Sequence, residues 1–412
     1  MTQKIEALRE RYNYKLFDLY FGVITALLFS AFLYLEHFGI TLKFLNTIFG
    51  LCAIALLLYI PKRAILVAGF FIGLLWFYWI GYSFKYNGVG YLTPLITFAF
   101  AVIYMLFFGI LSLTKSVAIR AILLFALSFF EPMDFNWLQM EVLFVDSYIG
   151  IYKYQLAIIL ASFALVEYVK KPYMYSSLLL LLLSINFNQP KQLDAPLKIK
   201  MVATDIKQDE KWKQENVSAT IRLIYNEIEK AKDEGYELVI LPESVFPFYM
   251  NKSPLVLQRL KEFSYSISIV AGTLLKEDEH HYNVTYMFED GNFSIAKKMI
   301  LVPFGEYIPL PEFIKGFVNE FFFAGAADFK TAAEPTDFII KGVKFRNAIC
   351  YEATCKEIYE GDVSFVLATS NNAWFYPSIE PTLQKLLMRF YARKSGTTIY
   401  HSANWSGSGV IK

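Results

Sequence analysis

Three residues far apart in the sequence could do covalent chemistry together. They are Glu243 in Leu241-Pro242-Glu243-Ser244, Lys298 just before Leu301-Val302-Pro303-Phe304-Gly305-Glu306-Tyr307, and Cys350 in Cys350-Tyr351-Glu352. A thiol with a pKa near ~8.5 needs a base or a nearby cation to become a nucleophile at neutral pH. None of the four histidines (His37, His280, His281, His401) stands in a comparable motif, so a carboxylate has to take the proton. Desolvation makes a carboxylate more basic, and an adjacent ammonium stabilises the anion that forms. The same ammonium can face the oxyanion of a tetrahedral intermediate. Such a set performs acyl transfer through a thioester. Taken singly, each residue has a plainer reading: a core cysteine, a loop carboxylate, and a solvated lysine beside Lys297.

The elements around them place each near the end of a strand. MVATDI (201–206), ELVILPES (237–244), SISIVAGTLL (266–275), FRNAICYE (345–352), VSFVLATS (363–370) and TTIYHSA (397–403) read as strands. Residues 217–234 carry Ile221, Ile224, Ile228 and Ala231 at helical spacing and end at Gly235. Strands alternating with helices define an α/β layered domain, whose reactive groups usually lie just beyond strand C-termini. Glu243 follows one strand, Cys350 ends another, and Lys298 precedes a Pro-Phe-Gly-Glu turn.

The rest of the chain is different in kind. Of 412 residues, 56% are hydrophobic and 18% charged, against ~45–50% and about a quarter in ordinary globular chains. This excludes a disordered chain, a disulfide scaffold and a collagen-like fibre. A net charge of +2 gives no argument for nucleic-acid binding. The three cysteines, Cys52, Cys350 and Cys355, cannot build a four-cysteine zinc site, and the histidines lack metal-ligand spacing. Long apolar runs near 17–36, 43–60, 64–83, 91–113, 117–130, 151–169 and 174–187 read as seven membrane helices. The first is too long for a signal peptide and has no small-residue cleavage site after it.

Lys4, Arg9, Arg11 and Lys15 precede the first run. Lys62 and Arg63, then Lys115 and Arg120, then Lys170 and Lys171 mark alternate breaks. The positive-inside rule therefore places the N-terminus in the cytoplasm and everything after seven spans outside, in the periplasm of an inner-membrane protein. The boundaries read as 1–187 membrane, 188–196 tether and 197–412 catalytic. The loop 131–150, with Phe135, Trp137, Leu138, Val142, Leu143 and Phe144 among acidic residues, reads equally as an amphipathic lid or floor and as an interfacial loop with aromatic anchors.

The motifs taken in order resemble the Glu–Lys–Cys signatures of the carbon-nitrogen hydrolase (nitrilase) superfamily. The form K-x-x-LVPFGEY behind a seven-helix half is similar to the apolipoprotein N-acyltransferase family, and the resemblance covers nearly the whole chain. It includes Lys211-Trp212, Tyr282-Asn283 and Asn371-Asn372-Ala373-Trp374-Phe375. It implies a polytopic helical membrane domain joined to an αββα sandwich. It also implies Glu243 as general base, Lys298 as oxyanion stabiliser and Cys350 as the acylated nucleophile. Glu306 would hold Lys298, while Glu352, Tyr351, Trp212, Asn283 and Trp374 would support the site or bind substrate. A phospholipid, phosphatidylethanolamine first among them, would give its sn-1 acyl chain to Cys350. The α-amine of a diacylglyceryl-cysteine on an apolipoprotein would take it. The resemblance implies no metal, no cofactor, no nucleic acid and a monomer in the membrane.

Asn372, Tyr376 and Lys385 stand where the family more often has Asp, Gly and His. Family members run on through further strands and an eighth membrane helix, whereas this sequence stops at Lys412, so either the lineage is short or the sequence is part of a longer one. The enzyme alternative is a membrane-tethered amidase with the same triad; a non-enzymatic scaffold would be expected to have lost a triad residue. Cys355 is expected to be buried or turned away from Cys350, and Cys52 to pack within its helix.

Overall fold

A run of apolar side chains in lipid leaves the backbone no partner but itself, so the N-terminal half coils. The structure, a computed structural model, describes residues 13–170, 173–303, 305–307 and 329–412, without the side chains of Asn87, Asp134 and Met174. Lys4, Arg9, Arg11, Lys171 and Phe304 lie outside the described residues. The chain divides into two compact units, Met1–Lys85 with Gly90–Gln189, and Tyr86–Val89 with Pro190–Lys412.

The first unit holds α1 (Tyr14–His37), α2 (Lys43–Tyr59), α3 (Lys62–Phe77), α4 (Thr93–Gly109), α5 (Val117–Leu127) and α6 (Lys153–Leu165). All seven apolar runs are helical, but they are not seven full-length spans. Among the described residues, Tyr14–His37 and Gly90–Leu113 are long and apolar enough to cross a membrane. The bent pair Lys62–Phe77 and Ile80–Tyr86, 43° apart, makes a third if counted as one. The third run breaks where Thr93 and Thr97 donate side-chain hydrogen bonds to the carbonyls of Gly81 and Tyr78, giving the interrupted backbone other partners. The seventh is a 3-10 helix, Tyr173–Ser184. Apolar content fixes burial; it does not fix how far a helix continues.

Three further expectations change here. Segment 131–150 is packed inside this unit, with Phe135, Trp137, Leu138, Val142, Leu143 and Phe144 all buried, which removes the free lid and the exposed interfacial loop and leaves the floor. Its Glu141 is also buried and pairs with Lys153 at 2.7 Å. Arg120, read as a loop charge, is buried and donates to the carbonyls of Leu58 and Ile60 at the end of α2. Cys52, expected to pack, is exposed on α2.

The second unit contains two five-stranded sheets. The first runs β1 (Ile199–Met201), β2 (Leu238–Ile240), β3 (Ser268–Glu277), β4 (His280–Glu289) and β5 (Asn292–Lys297), in that order. β1 to β3 are parallel, and β4 and β5 are antiparallel additions. The second sheet has the order β10 (Gly409–Ile411), β9 (Thr398–Asn404), β8 (Phe365–Asn371), β7 (Val343–Ile349), β6 (Asp337–Ile340). Its middle strands β7, β8 and β9 are parallel, flanked by antiparallel edges.

Strand periodicity builds the layers. In β2, Leu238 and Ile240 enter a core shared with Phe338, Ile340 and Phe345 of the second sheet. Val239 and the following Leu241 face the other way, onto Ile224, Ile228 and Ala231 of α7 (Gln214–Asp233) and Leu260 and Phe263 of α8 (Pro254–Phe263). The second sheet carries α9 (Glu380–Ser395) against β9 and β10. The result is a sandwich of two sheets face to face, helix layers outside, as the sequence led one to expect.

Candidate active site

The residues that could react come from both sheets. Glu243 sits in the turn after β2, Lys298 directly after β5, and Cys350 directly after β7. The β2 turn can lie close to its neighbour because position 272 in β3 is glycine. A Cβ there would come within 2.6 Å of the Glu243 Cα and the Ser244 nitrogen, and 2.8 Å of the Pro242 oxygen. Gly272→Ala must therefore displace the Glu243 backbone rather than a flexible side chain. It is expected to lower kcat at least tenfold with the fold retained; steady-state kinetics would refute this if kcat were unchanged.

Glu243 is buried, and one of its oxygens accepts from the Asn283 amide at 2.8 Å. Asn283 also reaches Glu306 at 3.4 Å, so one side chain ties two carboxylates. Lys298 is fully buried, with Nζ 2.6 and 2.8 Å from the two oxygens of Glu306 and 3.9 Å from Glu243. Glu306 is itself fixed by the Val302 backbone N–H at 2.9 Å. Burial works against charge on Lys298, but Glu306, then Glu243, Cys350 and Glu352, outweigh it and hold the ammonium protonated.

Cys350 occupies a sharp corner, with φ of 56°, a left-handed conformation unusual for any residue but glycine. Glu352 helps to hold that corner. One of its oxygens accepts from the Ile349 N–H at 2.7 Å; the other accepts from the N–H groups of Met299 and Ile300, beside Lys298. A single buried carboxylate thus clamps the thiol corner to the lysine loop. Burial pushes the Glu352 carboxyl up to about 7, against Lys298 and the three backbone N–H groups, which pull it down. Burial, with Glu243 adding and Lys298 opposing, pushes the Cys350 thiol well up, so the resting sulfur keeps its proton until a base removes it.

Tyr351 is buried and its carbonyl accepts from Thr354 Oγ1 and Cys355 Sγ. Cys355 is itself buried, as expected. Trp374 meets the Tyr86 ring edge-on at 5.5 Å. Trp212 is 44% exposed, and it is the preceding residue that reaches the site. Lys211 is buried, donates to the Glu243 carbonyl at 3.0 Å, and has its pKa lowered by burial to about 8. The sequence pair Lys211-Trp212 was visible; which member turned inward depends on the short helix Gln208–Lys211. Two more residues come from α9: Gln384, whose Nε2 lies 3.8 Å from Cys350 Sγ, and the buried Glu380. Their i, i+4 spacing, on a stretch with Pro381 in its first turn and the cap Gly396 at its end, was the available signal.

A partly buried thiol, a carboxylate and an ammonium held among further buried polar groups define a class. Residues 202–405 match the carbon-nitrogen hydrolase family, and residues 16–187 match the apolipoprotein N-acyltransferase integral membrane domain. The chain is 41% identical to an apolipoprotein N-acyltransferase of Wolinella succinogenes over 94% of each chain. It is 37% identical to one from Helicobacter hepaticus, covering 89% of this chain and 93% of that one. It is 35% identical to one from Helicobacter pylori, covering 85% and 84%. The chain belongs to the apolipoprotein N-acyltransferase family, membrane-anchored acyltransferases of the carbon-nitrogen hydrolase superfamily.

Proposed function

We propose that this chain N-acylates apolipoproteins through a thioester on Cys350. Glu243 takes the thiol proton as sulfur attacks the sn-1 ester carbonyl of a phospholipid, with phosphatidylethanolamine the first candidate. Lys298 faces the oxyanion that develops, and a lysophospholipid leaves. The α-amine of a diacylglyceryl-cysteine then attacks the thioester, and the thiol is restored. Excluding water favours the amine as acceptor. Glu306 and Asn283 hold Lys298 and Glu243; Glu352 fixes the corner; Tyr351, Trp374 and Trp212 shape access for lipid. Residues 1–187 would lie in the inner membrane with the N-terminus cytoplasmic, 188–196 would form a tether, and 197–412 would work at the periplasmic face as a monomer.

The observation that carries the reading is the fully buried Lys298, 3.9 Å from Glu243 and electrostatically coupled to Cys350. An isolated buried ammonium is costly, and one kept buried beside two carboxylates supports a role at a developing oxyanion. The membrane unit favours lipid-anchored substrates over the soluble amide of a tethered amidase. Intact-mass spectrometry after incubation with phosphatidylethanolamine should show one added acyl mass on wild type and none on Cys350→Ala. A diacylglyceryl-cysteine peptide should discharge it. Discharge by water alone would make the enzyme a hydrolase, and a modified Cys350→Ala would sink the thioester.

A further inference from the structure

Glu380 opens α9 and is 1% exposed, yet one of its carboxyl oxygens, Oε2, has no hydrogen-bond partner among the described residues. Four residues on, and so on the same helix face, Gln384 points its amide at Cys350 Sγ from 3.8 Å. Glu380 lies close enough to Cys350 and to Glu243 to act electrostatically on both. Nothing in the acyl-transfer scheme above uses it. A buried acid that serves only packing would be expected to spend both oxygens on donors, as Glu352 does.

The two carboxyls near the thiol have opposite surroundings. Glu243 has a donor at 2.8 Å and an ammonium at 3.9 Å. Glu380 has no hydrogen-bond donor on Oε2 among the described residues, and burial, with Glu243 adding, pushes its carboxyl well up. The first-turn position at a helix N-terminus favours the anion, but that effect is smaller than the loss of solvation. Paired carboxyls whose environments diverge in this way divide into acid and base.

We infer that Glu380 is a second proton-transfer carboxyl of this site, giving its proton to the leaving oxygen of the acyl donor while Glu243 keeps the one it took from the thiol. The inference rests on the thioester reading. In the first half-reaction the S–C bond forms and the ester C–O bond breaks. The Cys350 proton goes to Glu243, and the Glu380 proton goes to the glycerol oxygen. In the second, the N–C bond forms and the S–C bond breaks. The amine proton goes to Glu380 and the Glu243 proton returns to sulfur, restoring both carboxyls.

An acid is needed for a poor leaving group and not for a good one. The full chain in detergent is acylated with phosphatidylethanolamine, an alkyl ester, and separately with a long-chain p-nitrophenyl ester. The rate of mass gain on Cys350 is followed for wild type and Glu380→Gln. Gln keeps the shape and a hydrogen-bonding tip but cannot transfer a proton. The expected result is that Glu380→Gln slows the alkyl ester at least ~100-fold more than the nitrophenyl ester, within the usual range for general acid catalysis. The nitrophenyl arm also reports that the variant's site is intact. Equal slowing of both esters makes Glu380 a positioning residue and overturns the inference, as does no slowing of either. A wild type that acylates Cys350 with neither ester overturns the thioester reading itself, and this inference with it.

Discussion

Lys298→Met is expected to lower acyl transfer by at least ~10⁴ in kcat/KM, because two functions are lost with one ammonium. The first is the charge facing the oxyanion, which alone is worth ~10²–10³. The second is the state of Glu243. With the ammonium gone, Glu306 and Glu243 are left as buried carboxylates tied through Asn283 with no counter-charge. Glu243 then loses the ammonium beside it and the geometry in which it could act as base. Removing one partner of a buried pair also costs about 3–5 kcal/mol of stability. The double variant Lys298→Met with Glu306→Gln should therefore be more stable than Lys298→Met alone, although neither is active. Lys298→Arg should not restore the rate, since a planar guanidinium does not fit the volume of an ammonium held by both Glu306 oxygens. Burst-phase acylation and thermal unfolding in detergent test these together. Activity within tenfold of wild type in Lys298→Met would remove the lysine from the mechanism.

Glu352→Gln should separate stability from activity. The Glu352 carboxyl moves from its ordinary 4.5 to about 7 on folding. A carboxyl raised on folding contributes stability that is fully present below the unfolded value and lost as pH rises through the folded value. The shift of about 2.5 units corresponds to about 3 kcal/mol lost between pH 4.5 and a little above 7. Glu352→Gln should lack this slope, so its unfolding midpoint should gain on wild type as the buffer goes from pH 5 to 8. Activity should run the other way. Both carboxylate oxygens accept backbone N–H groups, and a Gln amide turns an NH₂ towards at least one of them. The clamp between the thiol corner and the lysine loop then opens, and kcat should fall by ~10²-fold or more. A wild-type pH–rate profile rising through about 7, flattened in the variant, would fit this. Parallel stability curves for the two proteins would refute the assignment of the slope to Glu352.

What the sequence made legible followed from periodicity and motif. The helix read over 217–234 runs Gln214–Asp233, and the strand read over 363–370 is Phe365–Asn371, because each has a strong apolar pattern of one period. The hairpins passed unread. β4 and β5 are joined through Asp290-Gly291, with positive φ at both residues, a two-residue turn that the Asp-Gly pair advertises. The polar start of β4, His280 to Asn283, hid the strand that carries Asn283 into the site. Trp212 was singled out by the resemblance, while Lys211 beside it turned inward; no one-dimensional pattern records which of two neighbours a four-residue helix buries. In the membrane half, composition showed seven helices but not their lengths, since backbone breaks there depend on partners such as Thr93 and Thr97 in another helix.

The distribution of the reactive groups over two sheets has a bearing on how the protein is made. Glu243 and Lys298 are translated with the first sheet, and Cys350 only with β7 of the second. The corner that presents the sulfur depends on β8 and β9, which follow it, and Gln384 follows it too. A nascent chain that has just exposed its cysteine therefore already carries the carboxylate and the ammonium but lacks the strands and the helix that hold the thiol corner. The thiol corner is set against those two groups only when the last strands of the second sheet have docked.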